Sequence, residues 1–398
     1  MEKKSKKQKK YFKINKIKEN NKIENIPKII KVRNPGVDLI RLISMYGTII
    51  NHILYHGNGI NKFYRYKKQL KILHIILFWH NDGFALISGI VGYKTNKYSN
   101  LLYLWFYVLF YSIVIHFYFI KFRPNSIIKD PFYVEFLPMV FQRYWYFTAY
   151  FGMYLFLPII NKGISILTKS ELKLVVMSTL GIFVIWRGIK RPDNDVFQIK
   201  EGNSVIWLLI FYLTGAYIGK FRVNYIGIKK YIYCIIILFI YSFSTILYYK
   251  SFNKELGKNK GHYIRKIIKL LEPMINEYND APIKIIQSIS ITLFLLQIKY
   301  NKYLTKIISF FGPLAFSIFL IHNNKLVIKN IILKIFMKDP DNLNLNSTII
   351  LVLVKAFKIF FFCLFIDYLR HLIFTFLRIR KICIFFEKIV FKLFDKFN

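Results

Sequence analysis

Residues 38–59 read DLIRLISMYGTIINHILYHGNG. The run is long and apolar enough for a transmembrane helix, yet it carries Asp38, Arg41, His52 and His56, which a lipid-facing helix excludes. At about 100° per residue, Arg41 and His52 come within roughly 20° of three full turns of each other, so they share one face, about 16 Å apart along the axis. Asp38 and Thr48 join that stripe, whereas Leu39, Ile43, Ile50 and Ile53 lie largely elsewhere. A polar stripe of this kind must face a cavity or other helices. The plainer alternative is a pair of Asp38 with Arg41 at one membrane interface and His52 alone at the other.

The rest of the chain sets the solvent. Of 398 residues, 55% are hydrophobic and 19% aromatic, and the mean hydropathy is +0.35, too apolar for a soluble domain that must cover its core. The sequence predicts an all-α, polytopic integral membrane protein. A formal net charge of +40 would suggest nucleic acid in a soluble protein. Here Lys is interleaved with Ile, Asn, Phe and Tyr throughout, a bias of composition, and no nucleic-acid partner is expected. Cys234, Cys363 and Cys383 are scattered, with neither a CxxC pair nor zinc-ligand spacing, so neither a disulfide framework nor a metal site is expected.

Apolar runs of about 17–25 residues give ten expected spans, beginning near Val37, Ile72, Leu101, Tyr144, Leu172, Ser204, Tyr231, Ile283, Ile307 and Ile349. Before them, residues 1–36 hold 13 Lys/Arg against 3 Glu and read as a retained basic cytosolic tail. After them, residues 375–398 read as a basic amphipathic helix lying on anionic lipid. Ile382, Phe385, Phe386, Ile389, Val390, Leu393, Phe394 and Phe397 share one face, with Lys381, Lys388, Lys392 and Lys396 opposite. Two basic ends on the cytosolic leaflet require an even number of spans and place a multi-pass protein in the cell membrane with both termini cytosolic. Against that topology, NKFYRYKKQLK at 61–71 is basic although it follows the first span; the flanks of the first helix usually dominate orientation.

Arg41, ten residues, then His52 on the first span, followed by FALISGIVGY at 84–93, resembles the acyltransferase 3 family of integral membrane acyltransferases. The resemblance continues through RYWYFTAYFGMYLFLPIINKGI at 143–164, GNSVIWLLIFYLTGAYIGK at 202–220, FGPLAFSIFLIH at 311–322 and FIDYLRHLIF at 365–374. It implies a transmembrane acyltransferase domain over residues 37–374. It also implies transfer of an acyl group, such as acetyl, from cytosolic acyl-coenzyme A to a hydroxyl of a cell-surface or lipid-linked glycan.

The residues suit that chemistry. Acyl transfer to an alcohol needs a base, and neutral imidazole serves at neutral pH, which makes His52 the candidate base or acyl carrier. Arg41 could hold a donor phosphate by a bidentate fork. Where relatives often carry paired arginines, this chain has Lys94 and Lys97, which become candidate donor contacts. Ser88 is a further donor-site candidate, or a small residue that permits close helix packing beside Gly89. His80 and Asp82 could line the His52 cavity or pair locally. His322, at the outer end of its span, and Trp145, in the aromatic run at 144–150, are candidate acceptor contacts, the run reading otherwise as an interfacial belt. His116 reads as a structural, hydrogen-bonded histidine and Arg187 as a snorkelling one. Two other readings compete: a non-catalytic glycan-export or scaffold protein of the same fold, and a secondary transporter, for which the internal repeats and Gly/Pro-interrupted halves are missing.

Overall fold

The computed structural model describes residues 34–77, 79–123, 132–186, 195–221, 230–252 and 281–397, so most of the basic tail and Arg187 lie outside it. Among the described residues there is no strand. The principal helices are α1 (Pro35–Tyr55), α2 (Lys67–Leu77), α3 (His80–Gly92), α4 (Tyr98–Phe122), α5 (Trp145–Ile166), α6 (Lys169–Leu180), α7 (Val205–Phe221) and α8 (Lys230–Phe252). They continue as α9 (Pro282–Gln297), α10 (Lys302–Phe311), α11 (Ala315–His322), α12 (Leu345–Phe376) and α13 (Ile379–Phe397).

Each of the ten expected apolar stretches meets helix, and among the described residues six segments are, by length and composition, long and apolar enough to cross a membrane: Pro35–Tyr55, Tyr64–Gly92, Tyr98–Phe122, Trp145–Ile166, Lys302–His322 and Leu345–Phe376. Val205–Phe221, Ile232–Ile246 and Pro282–Gln297 are shorter apolar helices. The stretch expected at Leu172 is the 12-residue α6, continued by a π-helical turn over Gly181–Trp186. The expected ten spans include these shorter elements.

Local chemistry explains several boundaries. Side chains of Asn301 and Asn344 cap α10 and α12 by accepting from the backbone N–H of Leu304 and Ser347 at 2.8 Å each. Thr168 and Glu171 form a capping box at α6. Pro313 lacks an N–H, and the segment Lys302–His322 accordingly breaks into α10 and α11 around a 3-10 turn over Gly312–Leu314.

α1 is the central element, packed against α2, α3, α9, α10, α11 and α12. α12 runs antiparallel to it: the Tyr46 hydroxyl donates to the Leu353 carbonyl at 3.0 Å and its ring meets Phe360. At the start of α1, Gly312 packs against the Asp38 side chain, and its neighbour Phe311 lies against Phe361. The start of α1 and the end of α12 therefore lie at one end of the bundle.

α3 and α7 make the closest helix pair. A Cβ at Gly89 would collide with the backbone of Tyr212 and Ala216, and one at Gly215 with the Leu86 carbonyl. This is the small-residue interlock by which helices associate in lipid, where apolar side chains gain nothing by leaving the solvent. Gly89→Ala is expected to destabilise the fold by about 1–3 kcal/mol, because backbone cannot move aside cheaply. Gly163→Ala, where a Cβ meets nothing within 4 Å, is the comparison. Equal melting temperatures of the two purified variants would refute the interlock.

α12 ends at Phe376 and the terminal helix α13 begins at Ile379. Between them Arg378 adopts a left-handed conformation, φ 53°, which redirects the chain so that α13 packs against α4 and α12. Cys383 is buried on its inner side, while Phe385, Phe386, Leu393 and Phe394 are exposed.

Candidate active site

Two histidines far apart in sequence meet at the end of the bundle away from the start of α1. His322, on the last turn of α11, is 1% exposed, and its Nε2 lies 3.0 Å from Nδ1 of His52. The proton positions follow from the partners. His322 Nδ1 hydrogen-bonds to the Ile318 carbonyl, which can only accept, so Nδ1 carries the proton and Nε2 is left as an acceptor. His52 therefore donates from Nδ1–H, and its Nε2 keeps a lone pair. His322 thus selects the tautomer in which half-buried His52 can accept a proton.

His56, just beyond α1, places its ring 5.0 Å from that of His52, edge to face. Burial lowers the His56 imidazole from its ordinary value, which favours its neutral form beside His52.

From the start of α1 the bundle holds a cavity of about 410 Å³. Arg41 and Ser88 line it, together with Phe84, Gly92, Thr95, Asn100, Tyr103, Tyr107, Tyr146, Tyr150, Tyr154, Tyr212, Phe316 and Arg380. Arg41 is partly exposed and donates to Asp38 Oδ1 at 2.9 Å, while Asp38 is fully buried. Asn161 sets one part of the mouth, donating to the carbonyls of Gly92 and Thr95 at 3.3 and 2.9 Å and accepting from the Tyr212 hydroxyl at 2.8 Å.

His52 does not line this cavity. Gly83, next to Phe84 at the deep end, packs against Ser44, and eight helical residues, about 12 Å, separate Ser44 from His52. Aromatic rings fill the interval. Tyr146 packs against Phe84 and Phe319 with centroids 6.3 and 6.2 Å apart, Phe319 stacks on Phe316 at 6.2 Å, and Tyr144 meets Phe319 at 6.0 Å.

The other sequence candidates are placed as follows. His80 is buried between α1 and α3: its Nδ1 lies 3.2 Å from Thr48 Oγ1 and 2.9 Å from Asn81 Oδ1, and its Nε2 accepts from Asn51 Nδ2 at 2.9 Å. Asp82 accepts from Trp207 Nε1 at 3.0 Å, tying α3 to α7. The His80 ring and the Asp82 carboxylate are both engaged in helix packing, and neither residue lines the cavity. Lys94 and Lys97 are exposed on the loop before α4, flanking lining residue Thr95; Lys97 offers its carbonyl to the Tyr154 hydroxyl at 3.3 Å. Trp145 packs on Tyr146 and is not among the residues that line the cavity. Instead Tyr146, Tyr150 and Tyr154, spaced by four and so on one helical face, line it; that spacing was readable from the sequence. His116 faces Glu135 at 3.4 Å, and Glu135 also accepts from Arg143 Nη2 at 2.6 Å.

One buried cluster behind the cavity has no forerunner among the sequence candidates. Asp367, fully buried, accepts from the hydroxyls of Tyr107 and Tyr111 at 2.8 and 2.7 Å and from Arg370 Nε at 2.6 Å. The Arg370 guanidinium lies 3.8 Å from the Tyr107 ring centroid. Among the described residues no group of three His, Cys, Asp or Glu side chains is placed to hold a metal ion.

A family model described as an acyltransferase domain, the acyltransferase 3 domain, matches residues 34–369. No curated protein and no solved structure matches the chain.

Proposed function

Because the chain belongs to the acyltransferase 3 family, we propose that it is a multi-pass membrane O-acyltransferase that moves an acyl group, acetyl in the simplest case, from cytosolic acyl-coenzyme A to a hydroxyl of a surface or lipid-linked glycan. The observation that carries the reading is the His52–His322 pair, because it leaves His52 Nε2 free to act as a base.

In this mechanism the acceptor hydroxyl attacks the thioester carbonyl while His52 Nε2 takes the hydroxyl proton. The resulting imidazolium is stabilised by the His322 Nε2 lone pair. When the tetrahedral intermediate collapses, the ester forms, the carbon–sulfur bond breaks, and His52 returns the proton to the departing thiolate. Proton and leaving group balance without a metal. Arg41 holds a donor phosphate at the cytosolic mouth, and the tyrosine-lined cavity takes the pantetheine arm. The acyl group reaches His52 when the Phe316–Phe319 stack gives way.

The reading is tested by comparing, by mass, the surface glycans of cells with and without the protein; identical glycans would sink it. A donor-side test accompanies it. Arg41→Ala is expected to weaken acyl-coenzyme A binding by roughly tenfold or more, and Arg41→Lys by less, since lysine keeps the charge but loses the fork. Equal donor affinity in wild type and Arg41→Ala would reduce Arg41 to the structural partner of Asp38.

A further inference from the structure

The cavity accounts for only part of a coenzyme A-sized donor. At about 410 Å³ it is at the small end of ligand sites and suits the narrow pantetheine arm, leaving the phosphate-bearing nucleotide at the mouth. The tyrosines that dominate the wall carry no charge to meet phosphates. Arg41 does, but it is already engaged with buried Asp38. The other arginine on the cavity wall is Arg380.

Arg380 sits on the first turn of α13, just past left-handed Arg378. Its helix is seated on the protein: α13 packs against α4 and α12, Ile379 joins the core, and Cys383 is fully buried. Arg380 is exposed on a docked helix and lines the cavity, where its guanidinium is free to meet a phosphate. The residue also lies past the matched family segment, which ends at 369, so the match assigns it no role.

We propose that Arg380 is a binding residue for the phosphates of the acyl donor, so that α13, besides lying on lipid, completes the donor site. The proposal rests on the acyl-coenzyme A reading above. The same guanidinium chemistry would also suit the phosphate of an anionic lipid headgroup, and the test separates the two.

Full-length protein in nanodiscs of phosphatidylcholine, with and without phosphatidylglycerol, is titrated with acetyl-coenzyme A and with acetyl-pantetheine, which lacks the nucleotide. Arg380→Ala is expected to weaken acetyl-coenzyme A binding about tenfold in both lipids, Arg380→Lys by less, and the advantage of acetyl-coenzyme A over acetyl-pantetheine to shrink accordingly. Unchanged affinity overturns the proposal. Equal losses for both probes overturn it too, by assigning Arg380 to the seating of α13. A loss confined to nanodiscs containing phosphatidylglycerol overturns it in favour of a lipid headgroup. Wild-type protein that binds no acetyl-coenzyme A would strike the donor reading itself, an outcome distinct from a failure at Arg380.

Discussion

His52→Ala is expected to lower acyl transfer by about a hundredfold to ten-thousandfold, the usual worth of a positioned general base, while the protein still folds and inserts. Folding should survive because His52 is half-buried and its side-chain partner, His322, keeps its bond to the Ile318 carbonyl when His52 is gone. His322→Phe keeps most of the volume but removes the acceptor that fixes the His52 tautomer. Its expected loss is smaller, about tenfold to a hundredfold, as for other orienting partners of functional imidazoles. The ordering of the two variants is the diagnostic result. A His52→Ala protein that is expressed normally and transfers at near wild-type rate would remove the catalytic role, and a His322→Phe protein equal to wild type would remove the tautomer argument.

Asp367→Ala is expected to destabilise the protein by about 3–5 kcal/mol, because it leaves Arg370, 3% exposed, as an uncompensated buried charge. The two tyrosine hydroxyls lose their acceptor as well. Replacing both members together, Asp367→Leu with Arg370→Met, removes the charges as a pair and should recover much of the loss. Thermal unfolding of the detergent-purified variants reads both effects. If Asp367→Ala melts with wild type, or if the double variant is no better than the single, the cluster is not holding α4 to α12 through its charges.

The polar stripe on α1 was legible because helical periodicity brings Arg41 and His52 to one face within a single segment. The His52–His322 pair was not, although both residues were singled out: 270 positions separate them, and the contact depends on α11 being broken off from α10 at Gly312–Pro313. The Asp367 cluster was hidden for the same reason, since its tyrosines lie 256 and 260 positions away, although FIDYLRHLIF itself was noticed. Trp145 was read as an acceptor contact, whereas the cavity is lined by Tyr146, about 100° of helix rotation away; the four-residue tyrosine spacing was the sequence signal for that face. The number of crossings is not legible from hydropathy, which reports apolarity and not whether a short helix reaches both surfaces.

The rings of Phe84, Tyr146, Phe316 and Phe319 have a consequence for the membrane itself. If the tyrosine-lined cavity and the histidine pair open toward opposite compartments, as the proposed donor and acceptor sides require, they form two half-channels, and a continuous file of water between them would conduct protons. At 100 mV each unit charge crossing would release about 2.3 kcal/mol, so even a slow leak would drain the gradient. On that reading the aromatic stack would insulate the two halves while the site is empty, and a narrow acyl chain threaded through it would itself serve as the stopper.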